Sequence, residues 1–124
     1  MSEKKLLLGI DAGSSSTKLA LYETDGTLCR EGSFPVKIHR PGEAQAEIDL
    51  HVLWTDLVTA IKRLAGTDAK YIQGIGFSVA NPTLVFLDEK NEPVRRGIAY
   101  FDNRSQKDVE SFVERFGGAN LYFA

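Results

Sequence analysis

The sequence predicts a mixed α/β fold built on a small sheet, and three observations carry that expectation. Near the start, three short extended segments follow one another with only turns between them. An amphipathic helix comes next, and a further apolar, strand-like run follows the helix. An antiparallel meander joined through a helix to another strand gives a sheet of mixed direction.

Residues 5 to 11 form an aliphatic run that stops near Gly13. Residues 18 to 22 alternate, with Leu19 and Leu21 on one side, which is the two-residue period of a half-buried strand. The serines between the two runs are the turn. Asp25-Gly26 signals a hairpin because glycine accepts the positive φ of a tight turn, and residues 27 to 36 supply a third strand ended around Pro35. Residues 38 to 46, with Pro41, Gly42 and few large apolar side chains, read as a surface excursion.

A helix is expected next. Asp49 is placed as its N-cap, and Leu50, Leu53, Trp54, Leu57, Ile61 and Leu64 recur at helical spacing, with Trp54 read as a core residue. Lys62 and Arg63 suit the negative end of the helix dipole, and Gly66 closes the helix. Residues 71 to 79 read as a strand in which Gly74 and Gly76 signal close backbone packing. Residues 83 to 87 read as another strand before the polar turn at 88 to 92. Ser105 and Asp108 have capping-box spacing, and Val109, Phe112, Val113 and Phe116 mark one face of a second helix ending at Gly117.

Composition narrows the function. The chain has 124 residues, 43% apolar and 26% charged, which fits one soluble globular domain and excludes disorder. A chain of this length hides about two-thirds of the surface of its unfolded form, enough for one modest core and too little for a two-lobed enzyme. Any cleft between domains is therefore completed by residues outside the chain. With a net charge of -2 and basic residues scattered among acidic ones, neither nucleic acid nor anionic lipid is an expected partner. Cys29 stands alone, which excludes an internal disulfide, fits a reducing cytoplasm and makes Cys29 a packing residue. His39 and His51 lack partners at metal spacing. The apolar run at 6 to 10 is too short to span a bilayer, and no leader segment is read at the start.

One segment carries chemistry: residues 9 to 18, GIDAGSSSTK. A Walker loop needs a second glycine before the lysine and a helix after it, and this segment has neither. A dinucleotide fingerprint fails because Gly9 and Gly13 have the wrong spacing and no helix opens next. A phosphate-binding hairpin remains, in which backbone N–H groups converge on an anion while serine hydroxyls and Lys18 add donors. Asp11 beside phosphates is tolerable only with a divalent cation between them, which points to magnesium and so to Mg-ATP. The alternative is that Asp11 caps the turn and the serines fill a tight hairpin.

The run LLLGIDAGSSSTKLALYETDGTL resembles the first phosphate motif of the actin/hexokinase/Hsp70 superfamily, which implies a ribonuclease-H-like, actin-like ATPase fold. Within it, AEIDLHVLWTDLVTAIKRLAG resembles the acidic stretch and Trp-bearing helix of the FGGY carbohydrate kinases. IQGIGFSVANPTLVFLDEKNEPVRRGIAYFDNR resembles their next strand, hairpin and Trp-x-Asp-x-Arg signature, here with Tyr100 in place of the tryptophan, followed by Asp102 and Arg104. Ala80, Asn81 and Pro82 stand where that family carries polar substrate-reading residues.

The resemblance implies that residues 1 to 124 are the N-terminal part of a kinase's first domain, with the second domain and the general base beyond position 124, so that no catalytic base is expected within the chain. It implies Asp11 as the magnesium organiser, Gly13, Ser14 and Ser15 as phosphate holders, and Lys18 in the place of a common arginine. It implies that Asn81 and Tyr100 face a sugar or polyol; for Tyr100 a core-packing role is the alternative, and for Asp102 and Arg104 a structural ion pair. Two other functions are open: a non-catalytic nucleotide-binding or regulatory module, and an ATPase activator, which would need cluster-binding cysteines that Cys29 alone does not supply. Apolar surface left bare by a partial domain predicts self-association into a homodimer.

Overall fold

The computed structural model describes residues 4 to 118. Its first sheet has the order β3-β2-β1-β6, where β1 is Leu6–Ala12, β2 Ser16–Glu23, β3 Leu28–Pro35 and β6 Ile72–Val79. The β1–β2 and β2–β3 pairs are antiparallel, as their short turns require, and β6 lies parallel to β1. Gly26, at φ 93°, makes the β2–β3 turn, where Gly26 N–H donates to Glu23 O. The sheet is thus the mixed one expected from sequence.

Alternation decides which face is covered. Leu6, Leu8 and Ile10 on β1 and Leu19 and Leu21 on β2 are each 3% exposed or less. Against them pack Leu57, Ile61 and Leu64 of helix α1, Leu50–Ala65, with Phe34, Tyr71 and Ile72. Each such buried leucine or isoleucine contributes about 1.5–3 kcal/mol. Asp49 caps α1 as predicted, its Oδ1 accepting from Val52 N–H at 3.1 Å, and Gly66 N–H donates to Lys62 O at the other end.

The segment read as a surface excursion is partly sheet. Ile38–His39 forms β4 and Glu47–Ile48 forms β5, and these join β7, Thr83–Leu84, and β8, Gly97–Ala99, in a second sheet of order β4-β5-β8-β7. Strands of two or three residues show no legible period, so the pairing could not be seen locally. A second cluster of Ala46, Ile48 and Ala99, flanked by Leu50, Leu53 and Phe101, fills the space between this sheet and α1. The strand expected at 83 to 87 stops at Leu84, and a hairpin closed by Val94 N–H to Phe86 O at 3.1 Å follows.

Three further expectations are corrected. Trp54 is 65% exposed, because the covered stripe of α1 runs through Leu53, Leu57 and Leu64 and Trp54 falls at its edge. Cys29 lies on the exposed edge strand β3 and is not packed in the core. Helix α2, Gln106–Phe116, forms without a side-chain cap from Ser105, and its residues Val109, Phe112, Val113 and Phe116 are 44–54% exposed. Among the described residues, no helix is long and apolar enough to cross a membrane.

Candidate functional site

The predicted phosphate segment folds as a hairpin: β1 ends at Ala12, Gly13 to Ser15 turn, and β2 begins at Ser16. Gly13 N–H donates to Ser16 O at 3.0 Å, and a Cβ added at Gly13 would lie 2.8 Å from that same oxygen. Only glycine closes the turn this tightly. The turn is also clamped from both sides, by Val36 N–H to Ser15 O at 2.9 Å and by Ala80 N–H to Ala12 O at 2.8 Å. These bonds use carbonyls. The N–H groups of Ser14 and Ser15 have no backbone acceptor among the described residues, so two adjacent donors are held rigidly at the tip and left open to an anion.

Asp11 and Lys18 are register partners across β1 and β2. The same cross-strand row continues to Ser78 on β6 and Ser33 on β3. Since Ile10 and Leu19 turn into the core, this row faces the other way, and both Asp11 and Lys18 are exposed. Over the row runs an open groove of about 790 Å³ with Gly9 and Gly76 among its lining residues. Neither Asp11 nor Lys18 is engaged in a salt bridge or side-chain hydrogen bond among the described residues.

The Asp-x-Arg pair is a structural anchor. Arg104 donates to Asp102 twice, from Nε and Nη2, each at 2.8 Å, and Asp102 Oδ2 also accepts from Ala46 N–H at 2.6 Å. Arg104 Nη2 reaches Glu47 Oε1 at 2.8 Å, and Arg95 Nη2 reaches the same oxygen at 2.5 Å. The pair of donors from Arg104 holds the Asp102 carboxyl well below the usual carboxylate range, and the ion pair raises Arg104 in turn. Glu47 is likewise lowered, chiefly by Arg104, against the opposing effect of burial. Its placement in the buried network was not legible, because β5 shows no sequence period.

Tyr100 is 55% exposed and meets Phe101 edge-on at 5.1 Å, so it is not a core aromatic. It shares a cavity with Gly13 and Ser14, whereas Asn81 is exposed and does not line that cavity.

The hairpin fits a magnesium nucleotide. Its glycine lets the turn close against Ser16 O, and the amides of Ser14 and Ser15 are open. No cluster of three or more metal-binding side chains occurs among the described residues, and Asp11 stands beside the turn as a single exposed carboxylate. That suits magnesium, which keeps several waters and takes one or two carboxylates together with phosphate oxygens.

Comparison with known proteins agrees with this fold. The fold matches solved carbohydrate kinases of the actin-like ATPase type: a xylulose kinase from Lactobacillus acidophilus superposes with a TM-score of 0.82 at 24% identity, over 90% of this chain and 23% of that one. A glycerol kinase from Plasmodium falciparum, solved with ADP, superposes with a TM-score of 0.80 at 18% identity, over 94% of this chain and 25% of that one.

Residues 6–123 match the N-terminal domain of the FGGY family of carbohydrate kinases, and the chain belongs to that family. An FGGY carbohydrate kinase domain-containing protein of Danio rerio is 33% identical over 93 residues, 74% of this chain and 17% of the relative. A gluconokinase of Bacillus subtilis is 27% identical over 117 residues, 94% of this chain and 23% of the relative. The chain thus spans about a fifth of the length of these curated relatives.

Proposed function

We propose that this chain is the N-terminal part of the first domain of an ATP-dependent sugar or polyol kinase, and that its β1–β2 hairpin holds the phosphates of Mg-ATP. The observation that carries the reading is the opposition of Asp11 and Lys18 beside a clamped turn with open amides. When bound, Mg-ATP supplies the γ-phosphoryl group for in-line transfer to a carbohydrate hydroxyl.

The chain's own residues bind and orient. Ser14 and Ser15 offer amides and hydroxyls to phosphate oxygens, Lys18 adds a positive charge, and Asp11 holds the cation through its waters. Tyr100, which borders the cavity beside the hairpin, faces the acceptor, whereas Asn81 lies outside that cavity. Asp102 and Arg104 position the loop that carries Tyr100 through their bonds to Ala46 and Glu47. The base that takes the hydroxyl proton is expected in the remainder of the kinase, as is the domain that closes over the nucleotide, so the 124-residue chain alone is expected not to turn over.

The setting is a cytoplasm, and nucleic acid is not a partner, in keeping with the net charge of -2. A second copy is: Ile75, Phe77 and Val79 on β6 are 53–64% exposed and offer an apolar face for self-association. A purely monomeric sedimentation profile at high concentration removes that last element. Titration calorimetry tests the nucleotide reading. ATP should bind in the presence of magnesium and lose that magnesium dependence in Asp11→Ala; identical isotherms for both proteins would contradict it.

A further inference from the structure

We infer that the free edge of β3 is a docking site for an extended acidic segment of another protein, a surface that the kinase assignment neither uses nor needs. β3 is the last strand of its sheet. Val36 N–H donates to Ser15 O, and the two-residue alternation of an antiparallel pair carries that inward direction to Phe34 and Gly32. The N–H and C=O groups of Glu31 and Ser33 therefore point away from β2, where no strand among the described residues meets them. Pro35 and the register shift opposite Leu21 and Tyr22 bound this open ladder, which leaves residues 30 to 34 as the slot.

A groove of about 560 Å³ runs beside the slot, between β3 and α1. Its floor is apolar, from Phe34, Ala60 and Leu64, and Gly32 keeps it open because no side chain fills the space before Leu64. Its rim is basic. Arg63 has no ion pair among the described residues, and Lys37 is joined only loosely to Asp56, at 3.7 Å. Arg30 is tied to Asp68 and keeps 43% of its side chain exposed. The Glu31 side chain alternates onto the opposite face of the sheet. An added strand would pair its main chain with Glu31 and Ser33 and turn every second side chain over the groove. The residue across from Gly32 meets the apolar floor, and acids two places to either side meet Arg30 and Arg63 at one end and Lys37 at the other. A second copy of the chain is the poorer occupant, because its β3 would bring Arg30, Gly32 and Phe34 to this face and no acid.

The test titrates the isotopically labelled chain with an end-blocked seven-residue peptide, threonine throughout except for glutamate at its second and sixth positions and leucine at its fourth. The amides of Glu31 and Ser33 should shift most, and should exchange with solvent about tenfold more slowly with the peptide bound. Half-saturation should need about tenfold more peptide when its glutamates are replaced by lysine, and about tenfold more for Arg63→Glu. Ser33→Pro removes one outward donor while the β2 pairing stays, so it should weaken binding by about tenfold as well. Methylating the third and fifth amide nitrogens of the peptide removes the same ladder with the protein untouched, and should abolish binding. Equal binding of the glutamate and lysine peptides, undiminished binding by either variant or of the methylated peptide, shifts centred away from β3, or no response at millimolar peptide overturns the inference. Concentration-dependent shifts at Glu31 and Ser33 without peptide assign the edge to a second copy and overturn it too.

Discussion

Asp11 and Lys18 stand directly opposite each other on adjacent antiparallel strands, both exposed, and do not form an ion pair. Opposite charges facing each other across a sheet ordinarily attract, for about 0.2–1 kcal/mol. Here that gain is forgone and both groups remain free, as the proposed Mg-ATP site requires. Lys18→Met should therefore weaken Mg-ATP binding by roughly 10- to 100-fold, the loss expected for one charge-assisted hydrogen bond. Its urea midpoint should stay near that of the parent, since no structural contact is lost. Calorimetry and denaturation on the same preparation check both halves.

Gly13→Ala tests the tightness of the turn. The added methyl would sit 2.8 Å from Ser16 O, a backbone atom that cannot swing away, so the hairpin must open. The expected cost is about 1–3 kcal/mol in urea denaturation, accompanied by loss of nucleotide binding.

The core makes an uneven prediction about two large side chains. Leu21 is 0% exposed between the sheet and α1, and Leu21→Ala should cost about 2–5 kcal/mol. Trp54, at 65% exposed, should cost much less when changed to alanine, nearer the 0.5 kcal/mol of a surface substitution. Thermal or chemical denaturation of the two variants side by side reads the difference.

What the sequence showed depended on the length of each element. The strands of the first sheet and helix α1 run seven to sixteen residues, long enough for their periods to emerge, and their caps at Asp49 and Gly66 were readable as chemistry. The second sheet was hidden, because Ile38–His39 and Glu47–Ile48 are held by partners distant in sequence. The same limit concealed Glu47 as the hub between Arg95 and Arg104, although Asp102 and Arg104 were visible as a pair two residues apart. Trp54 misled because helical spacing gives a stripe without its edges. For the turn proposed to hold phosphates, its hairpin form was readable from the glycine and serines, while the clamp from Val36 and Ala80 needed the fold.

The Glu47–Arg104–Asp102 network gives a pH dependence. Arg104 is the leading cause that lowers both carboxylates, so the folded chain holds fewer protons than the unfolded one in acid. The stabilisation is complete above about pH 5, where both groups are ionised even in the unfolded chain. It drains as the pH falls through their ordinary values of 4.5 and 3.8 and on toward the folded ones. Melting temperature followed from pH 7 to pH 3 should drop steeply below pH 4.5 in the parent and less steeply in Glu47→Gln. Parallel curves for the two proteins would assign the acid sensitivity to other groups.

The most direct measurement of the central claim is a map of backbone amide shifts as Mg-ATP is added to the labelled chain. The amides of Gly13, Ser14 and Ser15 should move first and furthest, with Asp11 and Lys18 beside them, and the same titration of Asp11→Ala should lose its magnesium dependence. Shifts centred elsewhere in the chain, or none at saturating nucleotide, would contradict the account.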